Sequence, residues 1–271
     1  MPRWAAALKD VKPGCVVLNT HHLPEEIQRE WESVVPDGWR YSFSYEPEIL
    51  DTAGGLREGL RRIAGGGTVL VVNGDVIADP PLEALLHAHR EHGALCTAWV
   101  NPSHPPKSVT WEKHHRVVSF QDHTSGRAVF CGVYLGEREI LNFIPDTGPF
   151  PIIPALEAAR AGHIVQVHVH ESPDWCDIGS IERYWSLHTD ESLRKRWTVG
   201  GSPKNHAGCL ASGKNCAIER GAHLKNALLW DNVQIRNGAS LENVIVTDNV
   251  TVTGKHQNQI ITSHGIHPLL G

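Results

Sequence analysis

Thr68-Val-Leu-Val-Val-Asn-Gly-Asp-Val-Ile-Ala-Asp79 is the stretch around which the rest of the chain is read. Val69 to Val72 are apolar and mostly β-branched, and Gly65-Gly66-Gly67 and Asn73-Gly74 bound them. That pattern predicts a central strand buried on both faces. Asp75 follows where the strand should end. Ligands of open α/β sheets sit outside the carboxyl ends of the strands, so this carboxylate is a candidate for chemistry. A turn Asp following Asn-Gly is the other reading of the same residue.

Outward from this stretch, strands and helices alternate at short intervals. Trp4, Ala5, Ala7 and Leu8 fall at helical spacing, so the chain opens inside a helix, and Cys15 to Asn19 reads as a short buried strand. Pro24 to Trp31 is a helix with Pro and two acids in its first turn, and Tyr41 to Tyr45 alternates as a strand. Glu46 to Gly55 reads as a loop leading into a helix from Leu56 to about Ala64. After the central strand come a helix, Pro81 to His92, and a strand, Ala94 to Val100. Ser108 to Trp111 and Arg116 to Phe120 look like antiparallel strands of an insertion. Val129 to Leu135 resumes a buried strand, with Gly132 at its centre. Glycine there usually marks close approach of a ligand or of another backbone. A helix (Ile152 to Ala161), a strand (Ile164 to His170, Val inward and His outward) and a helix from Ile181 complete this part.

The last quarter follows a different rule. Gly221 to Ile235 aligns with Gly238 to Val252 at an offset of 17 residues. Ile218, Leu224, Leu229, Ile235, Leu241, Val246 and Val252 recur five or six residues apart. Two residues before each lies a smaller one: Cys216, Ala222, Ala227, Val233, Ala239, Val244 and Val250. Three short strands per coil, each turning one aliphatic and one smaller side chain inward, is the pattern of a hexapeptide β-helix. The expected fold is therefore α/β: a Rossmann-like mixed, mostly parallel sheet with helices on both faces, spanning 1–200, and a short left-handed β-helix with a tail, 201–271.

Composition narrows the functional classes. A net charge of -5 over 271 residues, with no Lys/Arg stripe, argues against nucleic-acid and anionic-membrane partners. No stretch approaches the length of a membrane span, and the first residues lack a signal-peptide pattern, so a cytoplasmic location is expected, with the six cysteines reduced. His206, Cys209, Cys216 and His223 have residue types that suit zinc, but Cys216 occupies a small inward position of the repeat, which favours a structural role.

With these residues in view, the chain resembles the sugar-1-phosphate nucleotidyltransferases, the family of NDP-sugar pyrophosphorylases that includes mannose-1-phosphate guanylyltransferases. Val17-Leu-Asn-Thr-His-His-Leu23 is similar to the family's second strand and turn. Glu46 to Gly55 resembles its L-G-T-A-G loop, with Asp51 in place of the first glycine. Val71-Val-Asn-Gly-Asp75 looks like the strand that ends in a metal-binding aspartate, and Trp175-Cys-Asp-Ile-Gly-Ser-Ile-Glu-Arg-Tyr184 like the W-x-D-x-G-T-P-E-x-Y segment that carries the second. Phe130-Cys-Gly-Val-Tyr134 matches the family's sugar-side glycine strand.

The resemblance implies transfer of a nucleoside monophosphate from an NTP to a sugar 1-phosphate. It implies Mg²⁺ held by Asp75 and Asp177, nucleotide contacts from Thr52, Ala53, Gly54, Gly55, Asn73 and Gly74, and a sugar contact at Gly132. The β-helix is expected to support a homo-oligomer. The family's G-x-G-x-R…P-K phosphate loop is absent from the sequence, and its mid-chain lysine is not evident, although Lys107 and Lys113 lie in that region. The polypeptide is accordingly expected to be poorly stable and weakly active unless a preceding strand and loop are supplied. Two other readings stand beside it: a non-catalytic regulatory or assembly subunit, and a hexapeptide acyltransferase with His223 as base.

Overall fold

A computed structural model describes residues 2–173, 175–191, 193 and 208–269. The chain divides into two compact units, Met1–Trp175 and Cys176–Gly271. The boundary expected between 200 and 201 falls among residues outside those described, as does His206.

In the first unit, α1 (Pro2–Val11) is followed by β1 (Val16–Thr20), α2 (Pro24–Glu32), β2 (Tyr41–Tyr45) and α3 (Asp51–Arg61). Then come β3 (Val69–Val72), β4 (Val76–Ile77), α4 (Leu82–Glu91), β5 (Cys96–Asn101), β6 (Thr110–Trp111), β7 (Val117–Ser119), β8 (Val129–Gly136), α5 (Ile152–Ala159) and β9 (Val165–Val169). β1 and β2 pair in parallel as a sheet of their own, and β6 and β7 form the expected antiparallel pair. The larger sheet has the order β3-β8-β5-β9, with β8 antiparallel to both of its neighbours and β5 parallel to β9.

Two expectations are corrected here. β3 is an edge strand of this sheet and only half-buried along its length, where a central strand buried on both faces was expected. The sheet is mixed as expected but not mostly parallel, because β8 returns from the β6–β7 insertion between β3 and β5 and runs antiparallel to both.

Helices on both faces are present as expected. Alternation along the strands sends Ala98, Val100, Tyr134, Val165 and Val167 to one face, against Ala155, Leu156 and Ala159 of α5 and Ala53 of α3. Trp99, Cys131, Val133 and Leu135 go to the other, against Leu82 and Leu85 of α4 and Trp4, Ala7 and Leu8 of α1. Burial on both sides also accounts for a polar residue in β9. Gln166, in phase with His168 and His170, is buried, and its amide donates to the Ala88 carbonyl and the Thr97 hydroxyl. Thr97 also bonds His89 Nδ1, whose Nε2 meets Glu137, so a satisfied polar chain ties α4 to the sheet.

The second unit begins with β10 (Cys176–Asp177) and α6 (Ile181–Thr189). β11 (Cys209–Ser212), β13 (His223–Leu229), β15 (Ser240–Val246) and β17 (Lys255–Thr262) pair in parallel, and β18 (Gly265–Pro268) closes that sheet antiparallel to β17. β12 (Ala217–Ile218), β14 (Gln234–Ile235) and β16 (Thr251–Val252) form a second parallel sheet. His223 pairs with Ser240 and Ile218 with Ile235, so these coils stack at the 17-residue offset, while β15 meets β17 at 15 residues (Ser240 with Lys255). All fourteen inward positions named from the repeat belong to one apolar cluster. The corners are asparagines with left-handed φ, and their amides ladder from coil to coil: Asn215 to Asn232 to Asn249, and Asn226 to Asn243 to Asn258. Asn tolerates this backbone better than other L-residues, which is why it recurs there. Tyr184 and Trp185 of α6 pack with Leu210, Leu228, Ile245 and Ile260 in a second small core.

Candidate active site

The carboxyl ends of β1 and β2 are stapled together by groups that sequence reading did not single out. Glu46, just past β2, is buried (7 % exposed), which is costly for a carboxylate without partners. Asn19 at the end of β1 donates its amide to Glu46 Oε1 (2.6 Å) and to the Gly55 carbonyl (2.9 Å), and the Leu50 N–H donates to Glu46 Oε2 (3.1 Å). His21 Nδ1 bonds the Glu46 carbonyl (2.8 Å). The sequence signal was Asn19 closing one strand and Glu46 leaving the other, both inside quoted motifs.

Asp51 to Gly55 are not a loop leading into a helix; they are the first turns of α3. Asp51 has φ +61°, and its carboxylate accepts from the Thr52 N–H. The Thr52 hydroxyl accepts from the Ile152 N–H, while the Ala53 and Gly54 N–H groups both donate to the Phe150 carbonyl. A Cβ on Gly54 would lie 3.1 Å from the Gly148 carbonyl oxygen, and one on Gly55 3.0 Å from Glu46 Oε1. The two glycines therefore let α3 close onto the 148–152 segment and onto the Asn19–Glu46 pair. The helix starts earlier than its Gly-Gly composition predicts because tertiary contacts outweigh propensity. Ala53, Gly54 and Gly55 are buried, and Thr52 is half-buried. Around this node Leu23, Tyr45 and Ile49 leave large apolar surfaces in solvent, Ile49 at 64 %.

At the end of β3, Gly74 and Asp75 are exposed and Asn73 is half-buried. The Asn73 N–H donates to the Gly132 carbonyl (2.8 Å). Gly132 is buried with φ +72°, and a Cβ there would come within 2.9 Å of Asn73 Nδ2. The close approach that its sequence position implied is thus made by the Asn73 side chain.

In the second unit Asp177 is half-exposed. Its Oδ1 accepts from the Gly179 N–H (2.9 Å), and its Oδ2 forms an ion pair with the Arg183 guanidinium. Among the described residues no cluster of three His, Cys, Asp or Glu is arranged to hold a metal ion. Cys209 and Cys216 line the coil interior, and burial, followed by the nearby Cys216, pushes the Cys209 thiol up to about 11, against thiolate ligation; His223 is exposed on β13. No helix among the described residues is long and apolar enough to cross a membrane.

The model of the family described as nucleotidyl transferase matches residues 6–193. The chain belongs to that family. Nucleotidyl transferases acting on sugar 1-phosphates are also its relatives. A UTP–glucose-1-phosphate uridylyltransferase from Synechocystis is 26 % identical over 196 residues, 63 % of this chain and 49 % of that protein. A probable mannose-1-phosphate guanylyltransferase from Oryza sativa is 30 % identical over 209 residues, 70 % of this chain and 56 % of the relative. The chain thus spans about half the length of these relatives. Among solved structures, HddC from Yersinia pseudotuberculosis complexed with GMP-PN shares the fold at TM-score 0.55 and 17 % identity, covering 68 % of this chain and 82 % of that one.

Proposed function

We propose that the chain serves transfer of a nucleoside monophosphate from an NTP to a sugar 1-phosphate. The observation that carries this reading is the exposed Asp75 just beyond the carboxyl end of β3, inside the segment that the nucleotidyl transferase model matches. A phosphate oxygen of the sugar 1-phosphate forms a bond to the α-phosphorus of the NTP, the bond from that phosphorus to the bridging oxygen breaks, and pyrophosphate leaves with the electron pair. Such transfers depend mainly on positioning and charge neutralisation.

The donor types fit a hard cation: Asp75 in the first unit and Asp177 in the second each carry carboxylate oxygens of the kind Mg²⁺ takes, one or two of them together with phosphates and water. Bound there, Mg²⁺ would neutralise phosphate charge. The α3 node supports the nucleotide assignment indirectly. Thr52, Ala53, Gly54 and Gly55 hold the turn in place, leaving Tyr45 and Ile49 as an exposed apolar surface suited to a nucleobase. Asn73 and Gly74 would line the triphosphate, and Gly132 fixes Asn73 beside it. The stacked coils read as a short left-handed β-helix, to which we assign oligomerisation.

A second reading, a non-catalytic subunit, is favoured by one observation. β1 and β3 both end their sheets, are not hydrogen-bonded to each other, and carry half-buried apolar side chains. Each edge could pair with a strand of a partner chain, which an assembly subunit would use. Coding sequence in frame upstream of Met1 that supplies a strand and a G-x-G-x-R…P-K loop favours the enzyme; a stop codon there favours the subunit. Pyrophosphate release from NTP and sugar 1-phosphate, present in the first case and absent in the second, decides between them.

A further inference from the structure

Arg183 occupies the position that the W-x-D-x-G-T-P-E-x-Y pattern leaves unspecified between Glu182 and Tyr184. Ser180 caps α6, accepting from the Arg183 backbone N–H (3.3 Å), and Gly179 lets the chain turn just before it. This geometry folds the Arg183 side chain back from the first turn of α6 onto Asp177 Oδ2, while Oδ1 is held by the Gly179 N–H. Asp177 is therefore positioned at both oxygens by its own segment before any cation arrives.

We propose that Arg183 is the resident counter-ion of Asp177, a positioning residue that a divalent cation must displace in order to bind this carboxylate. The inference rests on the assignment of Asp177 as a metal ligand. Both side chains are substantially exposed, Arg183 at 46 % and Asp177 at 32 %. Water therefore screens the pair, and exposed pairs of this kind are weak. Competition of that size lowers the apparent affinity for a cation by about five-fold at most, because only the fraction of molecules with the carboxylate released can bind. Arg183 thus tunes the metal requirement without blocking it.

The test is Mn²⁺ titration of the full chain with a non-hydrolysable nucleoside triphosphate present, free Mn²⁺ being read by its paramagnetic resonance signal. Arg183→Gln should bind Mn²⁺ about two- to five-fold more tightly than the unaltered chain. Arg183→Met, which keeps the aliphatic stem, should do the same, and Arg183→Lys should stay near the unaltered affinity. Thermal melts should coincide, since the cap on Ser180 uses a backbone N–H. Asp177→Asn separates the two levels of the claim. If it weakens Mn²⁺ binding while Arg183→Gln and Arg183→Met leave it unchanged, Asp177 is a ligand and the counter-ion role is overturned. If Asp177→Asn binds as the unaltered chain does, or no form binds, the metal assignment fails and the counter-ion role with it.

Discussion

Gly132 shows how one residue sets the geometry of a turn. Its φ of +72° and the 2.9 Å approach to Asn73 leave no room for a side chain without moving either β8 or the Asn73-Gly74-Asp75 turn. Gly132→Ala should cost about 1–3 kcal/mol in urea unfolding, the usual range for a residue forced into a sparsely populated backbone region. A stability equal to that of the unaltered chain would mean that the close packing is not required. His168 gives a pH-dependent term. Burial, then the charges of His170 and His115, hold its ring below the usual 6.5. Between 6.5 and that lowered value the unfolded chain binds the proton and the folded chain does not, so stability is full above 6.5 and falls as the pH drops through this window. Urea midpoints should decrease from pH 7 to pH 5, and His168→Asn should flatten the decrease; an unchanged slope would contradict the assignment. Residues of this kind are only partly legible in sequence. Gly132 announces a close contact but not its partner, and nothing short of the fold brings Asn19 to Glu46 and Gly55, which lie in a different stretch of the chain.

Elements were legible where their signal is local. The coil positions follow from a one-dimensional count, and all fourteen are inward because stacking in register repeats the same environment every 17 residues. Edge or centre in a sheet is a tertiary property, which is why Val69 to Val72 reads as central and sits at the edge. The start of α3 was missed for a related reason: Gly54 and Gly55 look like helix breakers, yet the close approach to Gly148 and Glu46 requires them. Asn232 tests the coil corners. It has φ +60° and bonds both Asn215 and Asn249. Asn232→Ala removes both bonds but keeps a Cβ in the left-handed region, whereas Asn232→Gly removes the bonds and the Cβ together. Alanine should therefore be the less stable variant by about 1 kcal/mol. Equal melting temperatures for the two would show that backbone conformation does not limit these corners.

At the scale of the whole molecule, the two units obey different physics. The first buries a two-faced sheet under helices; the second stacks coils, each of which leans on its neighbour. If the coils carry self-association, the full chain should have a larger solution mass per polypeptide than a chain ending at Pro203, as read by light scattering. Monomeric mass in both would remove that role. The nucleotidyl-transfer reading is tested most directly by pyrophosphate release from the product of the longest open reading frame containing Met1, with Mg²⁺ and a panel of NTPs and sugar 1-phosphates. The expected result is pyrophosphate in equal amount to NDP-sugar, dependent on both substrates and reduced at least about a hundredfold by Asp75→Asn. A soluble, cooperatively folding protein that releases no pyrophosphate from any pair would contradict it.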